Sequence, residues 1–294
     1  MTHRLWLGPL ALAMALSGCK KTDDSAGKPV EPPDLQLVSA GSEPRRDLVY
    51  KVAKGSKREL EITIDLAIEA GDMGGPLPTI AMSLLVAVED VQPDGTMKLH
   101  TTIVDATARE KIESNIAPNA LNGPLEQMKG LALSSTLSPK GRLSKPVVEG
   151  GKQLSDAVNV QLSSLSASFG DVMMTLPVEP VGIGAVWRSS RAIEQNQLKM
   201  TAVNTVTLLA LDGDKIGYSI DTTLHGADQK VSLEGQTLDV TDLTGSGGGT
   251  GTLGLSTLEV TSELTAELRS KMQAAGETEG TPMKMTLQTK LSSR

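Results

Sequence analysis

Regular alternation of apolar and polar side chains is the feature that most constrains how this chain can fold. In residues 59–70, ELEITIDLAIEA, every second position is apolar: Leu60, Ile62, Ile64, Leu66 and Ile68. Successive side chains of a β-strand point to opposite faces of its sheet, so this pattern predicts a strand with one buried and one solvated face. The chain is therefore predicted to build a sheet that needs cover on one face.

The same alternation recurs in both halves of the chain. Residues 79–91 and 96–108 flank Pro93-Asp94-Gly95, a turn by its chemistry, and this predicts a hairpin of long strands. Asp212-Gly213-Asp214 is predicted to be a second hairpin turn. In the second half, strands are predicted at 186–195, 197–211, 215–225, 229–242, 252–264 and 282–291, with a bend at Gly235-Gln236 in the fourth of these.

Two segments between the halves have helical features. In residues 152–170 the apolar side chains step by three or four and share one helix face: Leu154, Val158, Leu162, Leu165 and Phe169. That face either packs against the sheet as core or forms the wall of an apolar ligand cavity, with Met173 and Met174 beside it. A shorter helix is predicted at 122–130, with Pro124 in its first turn and Gly130 at its end.

Together these elements predict an α+β fold that is mainly β. We expect a long antiparallel, strongly curved sheet or open half-barrel, with one or two helices packed on its concave face. This order of elements resembles that of lipoprotein-carrier folds in bacterial envelopes. Residues 175–188, TLPVEPVGIGAVWR, resemble a segment of uncharacterised Gram-negative envelope lipoproteins, a likeness that implies no particular function.

The single cysteine of the chain directly follows a short apolar segment. Residues 5–16, LWLGPLALAMAL, would extend about 18 Å as a helix, which is too short for a bilayer core of about 30 Å. The length and the basic start fit a secretory signal. Leu16-Ser17-Gly18-Cys19 resembles a bacterial lipobox. The resemblance implies cleavage between Gly18 and Cys19, and lipidation of Cys19 by diacylglycerol and an N-acyl chain such as palmitate.

This resemblance implies a lipid-anchored protein of the cell envelope. Lys20 stands where an aspartate would signal inner-membrane retention in enterobacteria, which favours the outer membrane, at its periplasmic face or at the cell surface. We expect a signal peptide at 1–18, the lipidated Cys19 with a disordered tether up to residue 46, and a β-rich domain at 47–294. The alternative is an ordinary signal peptide in which the cysteine has no role.

Charge and composition restrict the possible partners. The formal net charge is −7, whereas nucleic acids and anionic membrane surfaces attract basic faces. With one cysteine, the chain has no internal disulfide. The expected partners are the membrane, through Cys19, and a lipid or protein of the envelope.

The glycine-rich stretch at 245–254 contains G-x-G-x-x-G at Gly249, Gly251 and Gly254. A dinucleotide site needs a helix after this motif, but the following residues alternate as in a strand, so we predict a flexible loop that joins two strands. Asp212 and Asp214 resemble the start of a calcium loop, but Thr223 stands where a bidentate glutamate should close it.

Other catalytic and metal-binding signatures are weak. His100 and His225 lie in predicted strands, His100 on a solvent face, and two histidines without a thiol in the domain do not match the usual ligand set of a zinc site. The chain has no G-x-S-x-G. We therefore expect no cofactor, no metal and no catalytic residue.

Three functional hypotheses remain. The first is a non-enzymatic, membrane-anchored lipoprotein that binds a lipid or an acylated peptide in a cavity under the sheet. The alternative is a structural or interaction module of the envelope with a filled core. The third is a hydrolase without a linear motif, which would need His100 or His225 beside an acid and a serine in a cleft.

Overall fold

The alternating segments form strands in the computed structural model, which describes residues 34–71, 73–151, 173–195, 197–233, 236–274, 277 and 279–294. The strands in these ranges are β1 (Asp34–Ser39), β2 (Lys57–Ala70), β3 (Met73–Pro76), β4 (Thr79–Val91), β5 (Met97–Arg109), β6 (Ala132–Leu137), β7 (Val147–Val148), β8 (Val186–Gln195), β9 (Leu198–Asp212), β10 (Lys215–His225), β11 (Gln229–Leu233), β12 (Gln236–Gly254), β13 (Val260–Ala274) and β14 (Thr281–Ser293). One α-helix, α1 (Asn119–Met128), lies among them.

All of these strands belong to one antiparallel sheet. Its order is β1-β8-β9-β10-β12-β13-β14-β2-β4-β5-β6-β7, with β3 paired to β2 and β11 paired to β12. Strand β14, the last in the chain, lies beside β2 and so joins the two halves. The described part of the chain is mainly β with one α-helix, and the sheet is open, so the predicted α+β, mainly β fold class is confirmed.

The sheet curves around one hydrophobic core. Side chains from strands far apart in the sheet order, such as Leu84 and Leu99 on one side and Trp187 and Tyr218 on the other, belong to the same buried cluster. Distant strands of one sheet share a core only if the sheet bends. We call the face on which these side chains meet the inner face of the sheet. Helix α1 packs against β5 and buries Leu125 and Met128 in that cluster.

Helix α1 begins three residues earlier than predicted. The sequence indicated 122–130 with Pro124 in the first turn, whereas α1 spans Asn119–Met128 and Pro124 lies inside it. The predicted end is nearly right, since Gly130 has a φ of 76°, the left-handed conformation that glycine adopts after a helix. The predicted helix at 152–169 lies outside the described residues.

Two predictions about the second half are wrong. The segment 229–242, predicted as one strand bent at Gly235-Gln236, comprises β11 and the start of β12, which pair with each other as a hairpin. The glycine-rich stretch at 245–254 is not a loop, because it forms the rest of β12 and pairs with β10 and β13 along its length. The next strand therefore begins at Val260, not at 252.

The predicted tether is wrong for its described part. Residues 34–39 form β1, which pairs with β8, and its Leu35 and Leu37 pack against the core. Pro-rich flanks hide this short strand in the sequence, and its partner lies about 150 residues further along the chain. The described fold therefore begins by residue 34 and not at residue 47.

Residues 40–46 cross the segment 181–185 and are hydrogen-bonded to it. Arg46 and Val181 exchange two backbone hydrogen bonds of 3.0 Å, and Gly182 N donates to Ala40 O at 2.9 Å. Trp187, fully buried, donates from Nε1 to Thr175 O at 3.0 Å. The stretch TLPVEPVGIGAVWR thus has a structural role, because it fastens the N-terminal strand to the core.

Candidate functional site

The inner face of the sheet can be followed across β2, β14 and β13 by register. Met285 pairs with Ile68 on one side and with Leu268 on the other, and the next inner row consists of Leu66, Leu287 and Ala266. Residues directly opposite in antiparallel strands share a face. The alternation seen in the sequence therefore places an apolar surface across three neighbouring strands.

This surface continues beyond the core. Ile64 and Leu264 still pack against the buried cluster, but the residues farther along the same strands do not belong to it and are partly exposed. We call them the apolar strip: Leu66, Ile68, Ala266, Leu268, Met283, Met285 and Leu287. Among the described elements, β13 and β14 have extensive contacts only with their neighbours in the sheet.

The charges of the same strands lie on the opposite face. Lys284 Nζ lies 3.5 Å from Glu267 Oε2, and Lys290 Nζ lies 3.2 Å from Glu263 Oε1. Exposed ion pairs of this kind contribute little to stability. Their effect is to solvate the outer face, while the inner face of these strands carries only apolar, seryl and threonyl side chains along the strip.

A row of glycines on β12 borders the strip. Gly245, Gly247, Gly249 and Gly251 pair with inner-face residues of β13, so their missing side chains would point to the inner face. A Cβ atom on Gly249 would lie only 1.9 Å from Glu263 O, and one on Gly247 only 2.5 Å from Thr265 O. Glycine is required here because β12 and β13 approach each other more closely than any side chain allows.

Two buried hydroxyl groups lie where the strip meets the core. Tyr218 and Ser262 pair with Gly251 from its two sides, and the Tyr218 ring lies over Gly251, whose Cβ would be 2.6 Å from the Tyr218 hydroxyl. Their residues are 2% and 3% exposed; the two hydroxyl groups lie near each other, and neither meets hydrogen-bond geometry with any group of the described structure.

Burial raises the pKa of Tyr218 to about 12, because the ionised phenol would lose its hydration, and the nearby Ser262 hydroxyl opposes this shift in part. Tyr218 is therefore neutral at physiological pH and can donate a hydrogen bond from its hydroxyl group. Sequence reasoning missed both Tyr218 and Ser262, since only the register with Gly251 brings them together.

The structure describes only some of the residues that the sequence predicted for the site. Gly18, Cys19 and the predicted ligand wall lie outside the described residues; the wall comprises Leu154, Val158, Leu162, Leu165 and Phe169. Met173 and Met174, predicted to lie beside the wall, are buried in the core.

His100 is partly buried on the outer face of β5, where the sequence predicted a solvent face. His100 Nδ1 lies 3.1 Å from Glu149 Oε1, and Nε2 lies 3.3 Å from Thr102 Oγ1. Ser134 is the direct cross-strand neighbour of His100. An acid, an imidazole and hydroxyl groups thus come together, but on the face of the sheet opposite to the apolar strip, so they cannot act on a ligand bound there.

The predicted hairpin turn at 212–214 is confirmed, since Asp212 pairs with Lys215 at the tip of β9 and β10. His225 is exposed at the end of β10. Within the part of the chain that the structure describes, no group of three or more His, Cys, Asp or Glu side chains is placed to hold a metal ion. In that same part, none of the helices has the length and hydropathy needed to cross a membrane.

Comparison of the chain with models of protein families finds no match, and comparison with curated proteins finds none either.

Proposed function

We propose that this protein is a non-enzymatic envelope lipoprotein, anchored to the membrane through Cys19, whose β-rich domain binds an apolar ligand on the inner face of its sheet. The observation that carries the proposal is the apolar strip, which extends the inner face beyond the core and remains partly exposed. Contiguous apolar surface of this kind on a soluble domain marks a binding site for a ligand or a partner.

The chemistry of the strip favours a flexible hydrocarbon ligand. Met283 and Met285 are unbranched and adapt their shape to irregular apolar groups. The glycine row on β12 adds no side chains beside Ala266 and Leu268 of β13, so no bulky group of β12 covers this edge of the strip. Sites for small ligands are typically apolar with a few well-placed polar groups, and Tyr218 and Ser262 are such groups here.

The alternative function is an interaction module in which a protein partner covers the strip. Both functions use the same surface, so the occupant distinguishes them. A lipid occupant would be carried through purification, whereas a protein partner would leave the isolated chain without an adduct.

The first measurement is native mass spectrometry of residues 19–294 with Cys19→Ser, exported to a periplasm by an ordinary signal peptide, followed by lipid extraction. The chain must include residues 34–39 because β1 is part of the fold. We expect a stoichiometric adduct of lipid mass. Leu268→Glu should abolish the adduct, since it places a charge on the strip, whereas Arg269→Glu, on the outer face of the same strand, should keep it. A wild-type chain without any adduct would contradict the carrier function.

The anchor has a separate test. Replacing Cys19 with alanine removes the thiol that would carry the diacylglycerol, so we expect no acylation and an uncleaved precursor in the membrane fraction. Radiolabelled palmitate incorporation and fractionation measure both effects. Ser17→Ala, which keeps a small residue before the cleavage site, is the control and should be processed normally. Normal processing of the Cys19 variant would show that the lipobox assignment is wrong.

A further inference from the structure

The two unpaired hydroxyl groups on the inner face indicate what kind of polar group the ligand carries. A buried hydroxyl without a partner has lost its hydration with nothing to replace it, so such groups are rare unless something else satisfies them. Tyr218 and Ser262 are neighbours across Gly251, so one acceptor atom can receive a hydrogen bond from each. Both groups can donate, which makes an oxygen acceptor the natural third member of the cluster.

The side chains around the hydroxyl pair indicate whether the acceptor is charged or neutral. The inner-face residues of β10 and β13 in the described chain are all uncharged, and so are those of β14. An ionised carboxylate buried there would have no cation to compensate it, which carries a large free-energy penalty. A carbonyl oxygen has no such penalty and accepts hydrogen bonds from two donors.

The position of the hydroxyl pair also orients the ligand. From Ser262, the inner positions of β13 continue through Leu264 and Ala266 to Leu268, a distance of about 20 Å at roughly 3.4 Å per residue. The hydroxyl pair lies at the buried end of this path, and the partly exposed strip lies at the other end. A linear chain attached to the acceptor would therefore follow the strand outward.

We propose that Tyr218 and Ser262 donate hydrogen bonds to the uncharged carbonyl oxygen of an acyl ester whose hydrocarbon chain lies along the apolar strip. This inference rests on the proposed function and names the ligand class of that site. Acylglycerols and acylated peptides share this chemistry. Free fatty acids are disfavoured because they are ionised at neutral pH.

The test compares three ligands with matched chains: methyl laurate, laurate and tridecane. Each displaces a fluorescent apolar probe from residues 19–294 with Cys19→Ser at about pH 8, where laurate is ionised. We expect methyl laurate to bind about tenfold more tightly than tridecane, because only the ester accepts hydrogen bonds from Tyr218 and Ser262. Laurate should bind less tightly than methyl laurate.

Tyr218→Phe separates a binding role from a structural one. It should reduce the affinity for methyl laurate by about three- to tenfold and leave the affinity for tridecane unchanged. Because it removes an unpaired buried hydroxyl, it should leave the melting temperature equal or higher. Tyr50→Phe is the matched control, since the buried Tyr50 hydroxyl donates to Met174 O at 3.1 Å. That variant should lower the melting temperature and keep the ester preference.

The outcomes distinguish a failure of the apolar-ligand function from a failure of the carbonyl assignment. If none of the three ligands binds to the wild-type chain, the apolar-ligand function itself is wrong. If the ester and the alkane bind equally well, or if Tyr218→Phe weakens both to the same extent, the chain binds apolar ligands but the carbonyl assignment is wrong. Tightest binding by laurate would also overturn the assignment, because it would require a charged head group.

Discussion

Replacing Gly249 with alanine is expected to destabilise the protein by about 3 kcal/mol, which is a large part of the stability of an ordinary domain. The added Cβ would lie 1.9 Å from Glu263 O and 2.9 Å from a methyl group of Leu264. Neither strand can move away locally, because β12 is paired on both sides along this stretch. Urea denaturation followed by circular dichroism measures the effect.

Gly123→Ala is the control for the same chemical change. Gly123 lies in α1, and a Cβ there meets nothing within 4 Å. Alanine has a higher helix propensity than glycine, so this variant should be as stable as the wild type or up to about 1 kcal/mol more stable. A Gly249 variant within about 1 kcal/mol of the wild type would show that β12 and β13 are not so closely apposed.

Replacing Gly182 with alanine should release the N-terminal strand from the core. Its Cβ would lie 1.8 Å from Ser42 O, at the crossing of 40–46 and 181–185. We expect a loss of roughly 3 kcal/mol and rapid proteolysis in residues 34–46, because the hydrogen bonds that hold this segment cannot all form. Limited proteolysis with mass mapping locates the cleavage.

Gly184→Ala tests whether the close contact at the crossing of 40–46 and 181–185 causes the protease sensitivity expected for Gly182→Ala. Gly184 has a φ of +81°, but a Cβ there meets nothing within 4 Å. Its replacement should cost only the conformational strain, about 1–2 kcal/mol, and should leave residues 34–46 resistant. Equal protease sensitivity of the two variants would contradict the steric explanation.

The glycine row connects the fold with the proposed site. Side chains at Gly247 and Gly249 would hold β12 and β13 apart, so their absence lets the two strands pair closely beside the apolar strip. Gly251 additionally makes room for the Tyr218 ring, which places its hydroxyl beside Ser262.

The part of β12 that contains the glycine row was predicted to be a loop because of its composition. Glycine is depleted in strands and common in loops, so GSGGGTG at 245–251 predicted a loop. The alternation of glycine with serine and threonine is present, but it carries no apolar signal. The need for glycine arises from the backbone of β13 and, at Gly251, from the Tyr218 ring of β10, and these contacts exist only once the three strands are paired.

The sequence by itself determined the local features of this protein. Alternation of side chains identified most of the strands and the apolar face of β2, because the period of a strand is a property of neighbouring residues. Only the tertiary structure decided which strands pair, that residues 34–39 belong to the fold, and where the core ends along β2, β13 and β14. Pairing and burial depend on contacts between residues far apart in the chain, and no local pattern encodes that Tyr218, Gly251 and Ser262 are neighbours.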